Sequence, residues 1–238
     1  MSHNETEKKK LDARSIAGLI LSVTLLLSMV YAIVHLIIAP SAIGNLDAHT
    51  RLKSDYFVML LQCIIGLIVM LIPSMIEKKL SFSLPNYMSI LYFVFLYCAI
   101  FLGEIRNFYY VIPHWDTILH AFSGAMLGAL GFSLVSVLND IKKIKLKLSP
   151  IFIALFAFCF ALAVGAIWEI YEFAADTLFG FNMQRFAAED GTLFIGQAAL
   201  ADTMKDIIAD ALSAFIISVI GFFTIKKDRL ASKFQQDH

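Results

Sequence analysis

Charge is what this sequence lacks. Only 16% of its 238 residues are Asp, Glu, Lys or Arg, while 59% are apolar and mean hydropathy is +0.77. Soluble domains carry roughly a quarter charged residues and just under half apolar ones, so an ordinary aqueous globule is excluded. The 19 Lys and Arg balance 19 Asp and Glu, which leaves neither the basic excess of a nucleic-acid-binding chain nor the high net charge of a disordered one. Cysteine is scarce too: Cys63, Cys98 and Cys159 each lie inside an apolar run, with no metal-site or disulfide spacing, and read as buried membrane thiols. There is no Gly-x-Ser-x-Gly elbow, no His-Glu-x-x-His and no Walker loop. Serine hydrolase, zincin protease and ATP-driven pump are disfavoured accordingly.

What is present is long apolar runs of membrane-spanning length, about 20 residues each. They cover approximately residues 15–39, 56–76, 86–103, 117–138, 150–172 and 205–225, bounded by charge or by Pro40, Pro73, Pro85, Pro113 and Pro150. The expected fold class is an all-α polytopic membrane protein of six helices, forming a single integral membrane domain over residues 1–238 with an outer loop at 173–204. Lys8, Lys9 and Lys10 precede the first run, and Ala39-Pro40-Ser41-Ala42 offers small residues for signal cleavage. The run exceeds the about 7–15 apolar residues of a signal peptide and reads as a retained anchor.

Placing both termini in the cytoplasm puts 14 of the 19 basic residues on inner segments and leaves Arg51, Lys53, Arg106, Arg185 and Lys205 outside. The positive-inside rule therefore predicts an N-in, C-in protein of the bacterial cytoplasmic membrane.

The acids follow another pattern. Glu104, Asp116, Glu169, Glu172, Asp176, Asp202, Asp206 and Asp210 all fall near the outer ends of the last four helices, with Glu189 and Asp190 in the loop between the last two. Asp116 and His120 are one turn apart and share a face with Gly124 and Gly128. Glu169, Glu172 and Asp176 form a second stripe that runs inward to Gly165, and Asp202, Asp206 and Asp210 form a third. Asp210 lies 16 residues from Lys226, about 24 Å along a helix, which places it inside a hydrocarbon core about 30 Å thick. Glu169, 19 residues from Pro150, reaches about 29 Å and the outer boundary. The expected site is a cup open to the outside with Asp210 as its floor.

Eight carboxylates there face only His120, Arg106 and Lys205 as local cations. Ionised acids at low dielectric cost several kcal/mol each unless paired, so either some are protonated or cations fill the cup. Acidic stripes on facing helices are how bundle di-metal sites are built. The predicted metal ligands are Glu104, Asp116, His120, Glu169, Glu172, Asp176, Asp202, Asp206 and Asp210. This oxygen-rich set with one imidazole favours Mn²⁺, Mg²⁺, Ca²⁺ or Fe²⁺, with Zn²⁺ as an alternative. Asp176 and Asp202 read equally well as acids hydrated at the headgroups, and His114 reads either way. His35 reads as structural, Trp115 and Trp168 as interfacial anchors, and Gly124-x-x-x-Gly128 as close helix packing.

Arg106-Asn107, Asp116-x-x-x-His120-x-x-x-Gly124, Tyr171-Glu172 and Asp202-x-x-x-Asp206 together resemble the YjdF-like family of bacterial inner-membrane proteins, over roughly residues 100–225. One spacing departs from that pattern, since Phe108 to Trp115 separate the Arg-Asn pair from Asp116. The resemblance implies a polytopic inner-membrane protein and supports treating these positions as a site. It implies no reaction.

Three functions fit such a cup. The favoured one is a metal-dependent enzyme acting on a lipid or lipid-linked small substrate, with His120 or Glu172 as general acid/base and Arg106 holding a phosphate or carboxylate. The alternatives are a divalent-cation or proton-coupled transporter and a non-catalytic scaffold tied by a structural ion. Transport needs polar groups across the membrane, and no ionisable residue lies between Asp210 and Lys226. Membrane lipids are the expected surroundings, nucleic acid is not a partner, and the oligomeric state is left open.

Overall fold

The computed structural model describes residues 12–41, 51–80, 83–140, 148–188 and 191–236. Glu189 and Asp190, and the inner lysines at 8–10 and 142–147, lie outside the described residues. The described residues contain eight α-helices and no strand: α1 (Ala13–Ile38), α2 (Lys53–Val69), α3 (Ile72–Leu80), α4 (Asn86–Leu96), α5 (Phe108–Val111), α6 (Trp115–Asp140), α7 (Pro150–Phe179) and α8 (Gln197–Gln236). Six helical stretches are long and apolar enough to cross a membrane.

Helix ends depart from the apolar runs for local reasons. The second run is one span by hydropathy but breaks at Met70 and Leu71, because Pro73 has no N–H to give and its ring crowds the carbonyl of Val69. The third run continues past α4 as a π-helical segment, Tyr97–Ile105, which closes with Arg106 N–H donating to Phe101 O at 2.9 Å. Helix α7 continues to Phe179 and α8 starts at Gln197, so the connection is 180–196 rather than 173–204. Hydropathy marks only the lipid-facing part of a helix, and the acid-bearing turns beyond it are helical but polar. Helix α7 ends at Gly180, whose φ of 70° is the left-handed cap that glycine adopts without strain.

The chain divides into two compact units, Met1–Val111 and Ile112–His238. In the first, α1 packs on α2, α4 and the π-helical segment. Its core is apolar: Leu21, Leu25 and Ala32 of α1 recur at helical spacing against Tyr56, Met59 and Cys63 of α2 and Phe93 and Leu96 of α4. Asp12 caps α1 by accepting from Ser15 N–H at 2.9 Å, and this hydrogen bonding holds its carboxyl below the usual range. Arg14 forks onto Glu77 at 2.9 and 2.7 Å, and Glu77 also accepts from Leu84 N–H. Arg51 donates both terminal nitrogens to Ile105 O at 3.2 Å, meeting a carbonyl left over at the end of the π-helical segment.

The second unit packs α6, α7 and α8 mutually. Gly124 lies on Asp210, Gly128 on Ala214 and Ile217, and Gly221 on Phe132, so α6 and α8 run parallel in matched register. Gly131 lies on Ala157 and Gly165 on Asp210, which sets α7 antiparallel between them. The seam is made of small residues, with Ala157, Ala161 and Ala214 fully buried, as expected where helices approach through van der Waals packing in lipid.

Candidate metal centre

The second unit is polar inside and apolar outside. Ile170 and Ile167 are 66% and 63% exposed, whereas Glu169 between them is 4% exposed. Asp116, His120, Glu172, Asp176, Asp206 and Asp210 are buried as well. In a membrane the outer face meets hydrocarbon, so ionisable groups turn to the bundle interior. The 100° step of the helix does this: each stripe read from the sequence is one face of α6, α7 or α8.

His120 is the hub. Its Nδ1 lies 3.0 Å from Asp210 Oδ2, and its Nε2 lies 3.7 Å from Glu169 Oε1 and 3.9 Å from Asp116 Oδ1. Ser123 Oγ–H lies within reach of both His120 O at 2.9 Å and Asp210 Oδ1 at 3.2 Å. Asp116, His120 and Asp206 each offer a ligand atom within 4.8 Å of the others. Opposite ligands of an ion with bonds of about 2.1–2.4 Å are at most about 4.8 Å apart, so these three match the reach of a single hard cation.

The surrounding oxygens are incompletely satisfied. Both carboxylate oxygens of Glu169 and Oδ1 of Asp206 are buried without a well-formed hydrogen bond; Glu169 has only weak approaches from the side chains of Thr203 and Gln184 and His120 Nε2 at 3.7 Å. Buried polar atoms are nearly always satisfied, and an ionised acid left bare inside a bundle costs several kcal/mol. Asp116 lies in the first turn of α6, where the helix dipole favours its negative charge. That dipole supplies no counter-ion for Glu169.

The other sequence candidates are placed differently. Glu172, one turn outward from Glu169, accepts from Trp168 Nε1–H at 2.9 Å, so Trp168 supports the site as well as facing the membrane. Asp176 turns to the loop and accepts from Met183 N–H at 2.7 Å and Gln184 N–H at 3.0 Å. Asp202 lies 3.8 Å from Arg185. Glu104 and Arg106 belong to the first unit, on the π-helical segment and at its end. His114 has a φ of 61° ahead of α6.

Asp176 therefore has a job independent of any ion. Asp176→Ala is expected to lower the thermal unfolding midpoint by a few degrees, since charge-assisted hydrogen bonds contribute about 1.5–3 kcal/mol, while bound-ion content stays at the wild-type value. Ion loss in this variant, measured by elemental analysis, would make Asp176 a ligand instead.

Sequence reasoning passed over Arg185. Its guanidinium lies 3.5 Å from Asp116 Oδ2 and 3.8 Å from Asp202 Oδ1, a bridge from the loop to α6 and α8. One signal was available: Arg185 is the only basic residue in 173–204. Gln184 supports the same loop, donating from Nε2 to Thr203 Oγ1 at 2.9 Å.

Comparison with known proteins bears on the whole chain. Residues 21–227 match the family described as "Predicted membrane protein (DUF2238)". The chain belongs to this family. The DUF2238 chain is also 28% identical to an uncharacterized protein of Thermotoga maritima over 128 residues. That alignment covers 53% of this chain and 56% of the relative's own length, so it spans little more than half of either protein. No solved structure matches this DUF2238 chain.

Proposed function

We propose that α6, α7 and α8 form an outward-facing divalent-cation site, and that the protein is a metal-dependent enzyme acting on a lipid or lipid-linked substrate. One observation carries the reading: Glu169 keeps two buried oxygens without a well-formed hydrogen bond beside the Asp116, His120 and Asp206 group. Oxygen donors with one imidazole suit Mn²⁺, Mg²⁺, Ca²⁺ or Fe²⁺, with Zn²⁺ as the alternative. A bound cation would polarise a phosphoryl or carbonyl oxygen and activate water. Glu172, steadied by Trp168, is the general acid/base beside it. A lipid substrate follows from the depth of the acids, at the outer boundary of the apolar spans. Beneath them the seam of Gly128, Gly131, Ala157, Ala161 and Ala214 is tightly packed, which favours an enclosed site over a conduit. The basic inner segments favour the bacterial cytoplasmic membrane with both termini inside, and the YjdF-like motifs fit the same location.

The test is elemental mass spectrometry of the purified protein beside Asp206→Asn, with both monodisperse in detergent. We expect about one or two divalent ions per chain in the wild type, lost in the variant, together with metal-dependent turnover of a phosphate-bearing lipid. No bound ion under metal-replete conditions overturns the reading. A bound ion with no turnover, but with metal uptake into vesicles, would make the protein a transporter.

A further inference from the structure

Asp210 is fully buried, and its surroundings differ from those of Glu169 and Asp206. Both of its carboxylate oxygens are taken, Oδ2 by His120 Nδ1 at 3.0 Å and Oδ1 by Ser123 Oγ at 3.2 Å. The bundle also makes a socket for it. A Cβ on Gly165 would collide with Asp210 Oδ2 and stand 2.9 Å from its Cγ, and a Cβ on Gly124 would stand 2.8 Å from its Cα. Only glycine on both neighbouring helices lets this carboxylate sit where it meets Nδ1.

A carboxylate is an acceptor only, so the nitrogen facing it carries the proton. That leaves Nε2, turned towards Glu169 and Asp116, as the nitrogen whose proton a cation can displace. Histidines that ligate metals commonly donate the other ring N–H to a carboxylate, which fixes ring and tautomer and raises ligand basicity. We infer that Asp210 is not a cation ligand but a positioning residue, which holds His120 as the Nδ1–H form so that Nε2 is presented to the cation. This rests on the cation reading above and adds what the acid nearest the imidazole does. The cation set then consists of His120 Nε2 with Asp116, Glu169 and Asp206, and Asp210 acts only through the ring.

The experiment is ¹⁵N NMR of histidine-labelled full-length protein in detergent, with His120→Gln assigning the signal, first metal-free and then with Zn²⁺. We expect the proton on Nδ1 in both states and the zinc-induced shift on Nε2. Asp210→Ala should release the tautomer and weaken Mn²⁺ binding, read by electron paramagnetic resonance, about 10–100-fold. Asp210→Asn keeps an amide oxygen able to accept from Nδ1–H, so it should retain the tautomer and lose less affinity than Asp210→Ala. A bare Nδ1, or zinc bound through Nδ1, overturns the inference, as does Asp210→Asn losing the ion as completely as Asp206→Asn. If the wild type takes up no ion while Nδ1–H is present and is lost in Asp210→Ala, the cation reading falls and the Asp210–His120 pairing stands.

Discussion

In metal-free buffer Glu169→Gln is expected to melt at a higher temperature than the wild type, and with saturating divalent metal at a lower one. The reversal follows from the two bare oxygens of Glu169. Without an ion, an ionised carboxylate 4% exposed is a desolvated charge whose nearest cation, His120, stands 3.7 Å away and is shared with Asp116 and Asp210, which destabilises the native state. Gln has nearly the same shape and no charge, so it relieves that desolvation cost. Recovering about 2 kcal/mol raises the midpoint by about 4–8 °C for a chain of this size. With the ion present the order inverts. A ligand at a hundredfold its Kd stabilises the native state by about 2.7 kcal/mol, and Gln, a neutral donor, forfeits most of that gain. Thermal scans of both proteins in chelator and in Mn²⁺ read the crossing directly. A wild-type midpoint indifferent to every divalent ion tested would refute the site.

Gly124→Ala is expected to damage the second unit severely, and Gly128→Ala four residues on to be nearly silent. The contrast tests whether the Gly124-x-x-x-Gly128 pair serves packing in general or the site in particular. A methyl on Gly124 would meet Asp210 O at 2.7 Å and Asp210 Cα at 2.8 Å, both backbone atoms that move only if α6 and α8 part. At Gly128 the nearest atom is a side-chain methyl of Ile217 at 3.3 Å, which can yield by a few tenths of an ångström. Overpacking against a rigid neighbour costs about 1–3 kcal/mol. In this case the displacement also draws Asp210 from His120. Gly124→Ala should lose both thermal stability and bound ion, while Gly128→Ala keeps both. Equal effects would place the requirement in the helix seam alone.

The stripes were legible because helical periodicity is local. Asp116 with His120, Glu169 with Glu172 and Asp202 through Asp210 are each one face of one helix, whatever the neighbours do. Roles within a stripe were not legible. Asp176 has the same spacing to Glu172 that Asp210 has to Asp206, yet the first serves loop amides and the second serves an imidazole. What separates them is how each helix is rotated against its partners, and no single-helix pattern encodes that. Arg185 was hidden for another reason, since 180–196 has no period and its path alone brings a guanidinium to Asp116 and Asp202.

By itself the sequence determined that this is a helical membrane protein of six spans and that its acids collect on the faces of α6, α7 and α8. Both follow from composition summed over 20 or so residues and from the 100° step of a helix, which need no knowledge of contacts. Only the tertiary structure decided which oxygens are satisfied and which are bare. Satisfaction is a property of pairs: Asp210 is complete because Gly165 and Gly124 leave room for it against His120 and Ser123, and Glu169 is incomplete because the donors that face it, His120 Nε2 among them at 3.7 Å, stop short of a well-formed hydrogen bond.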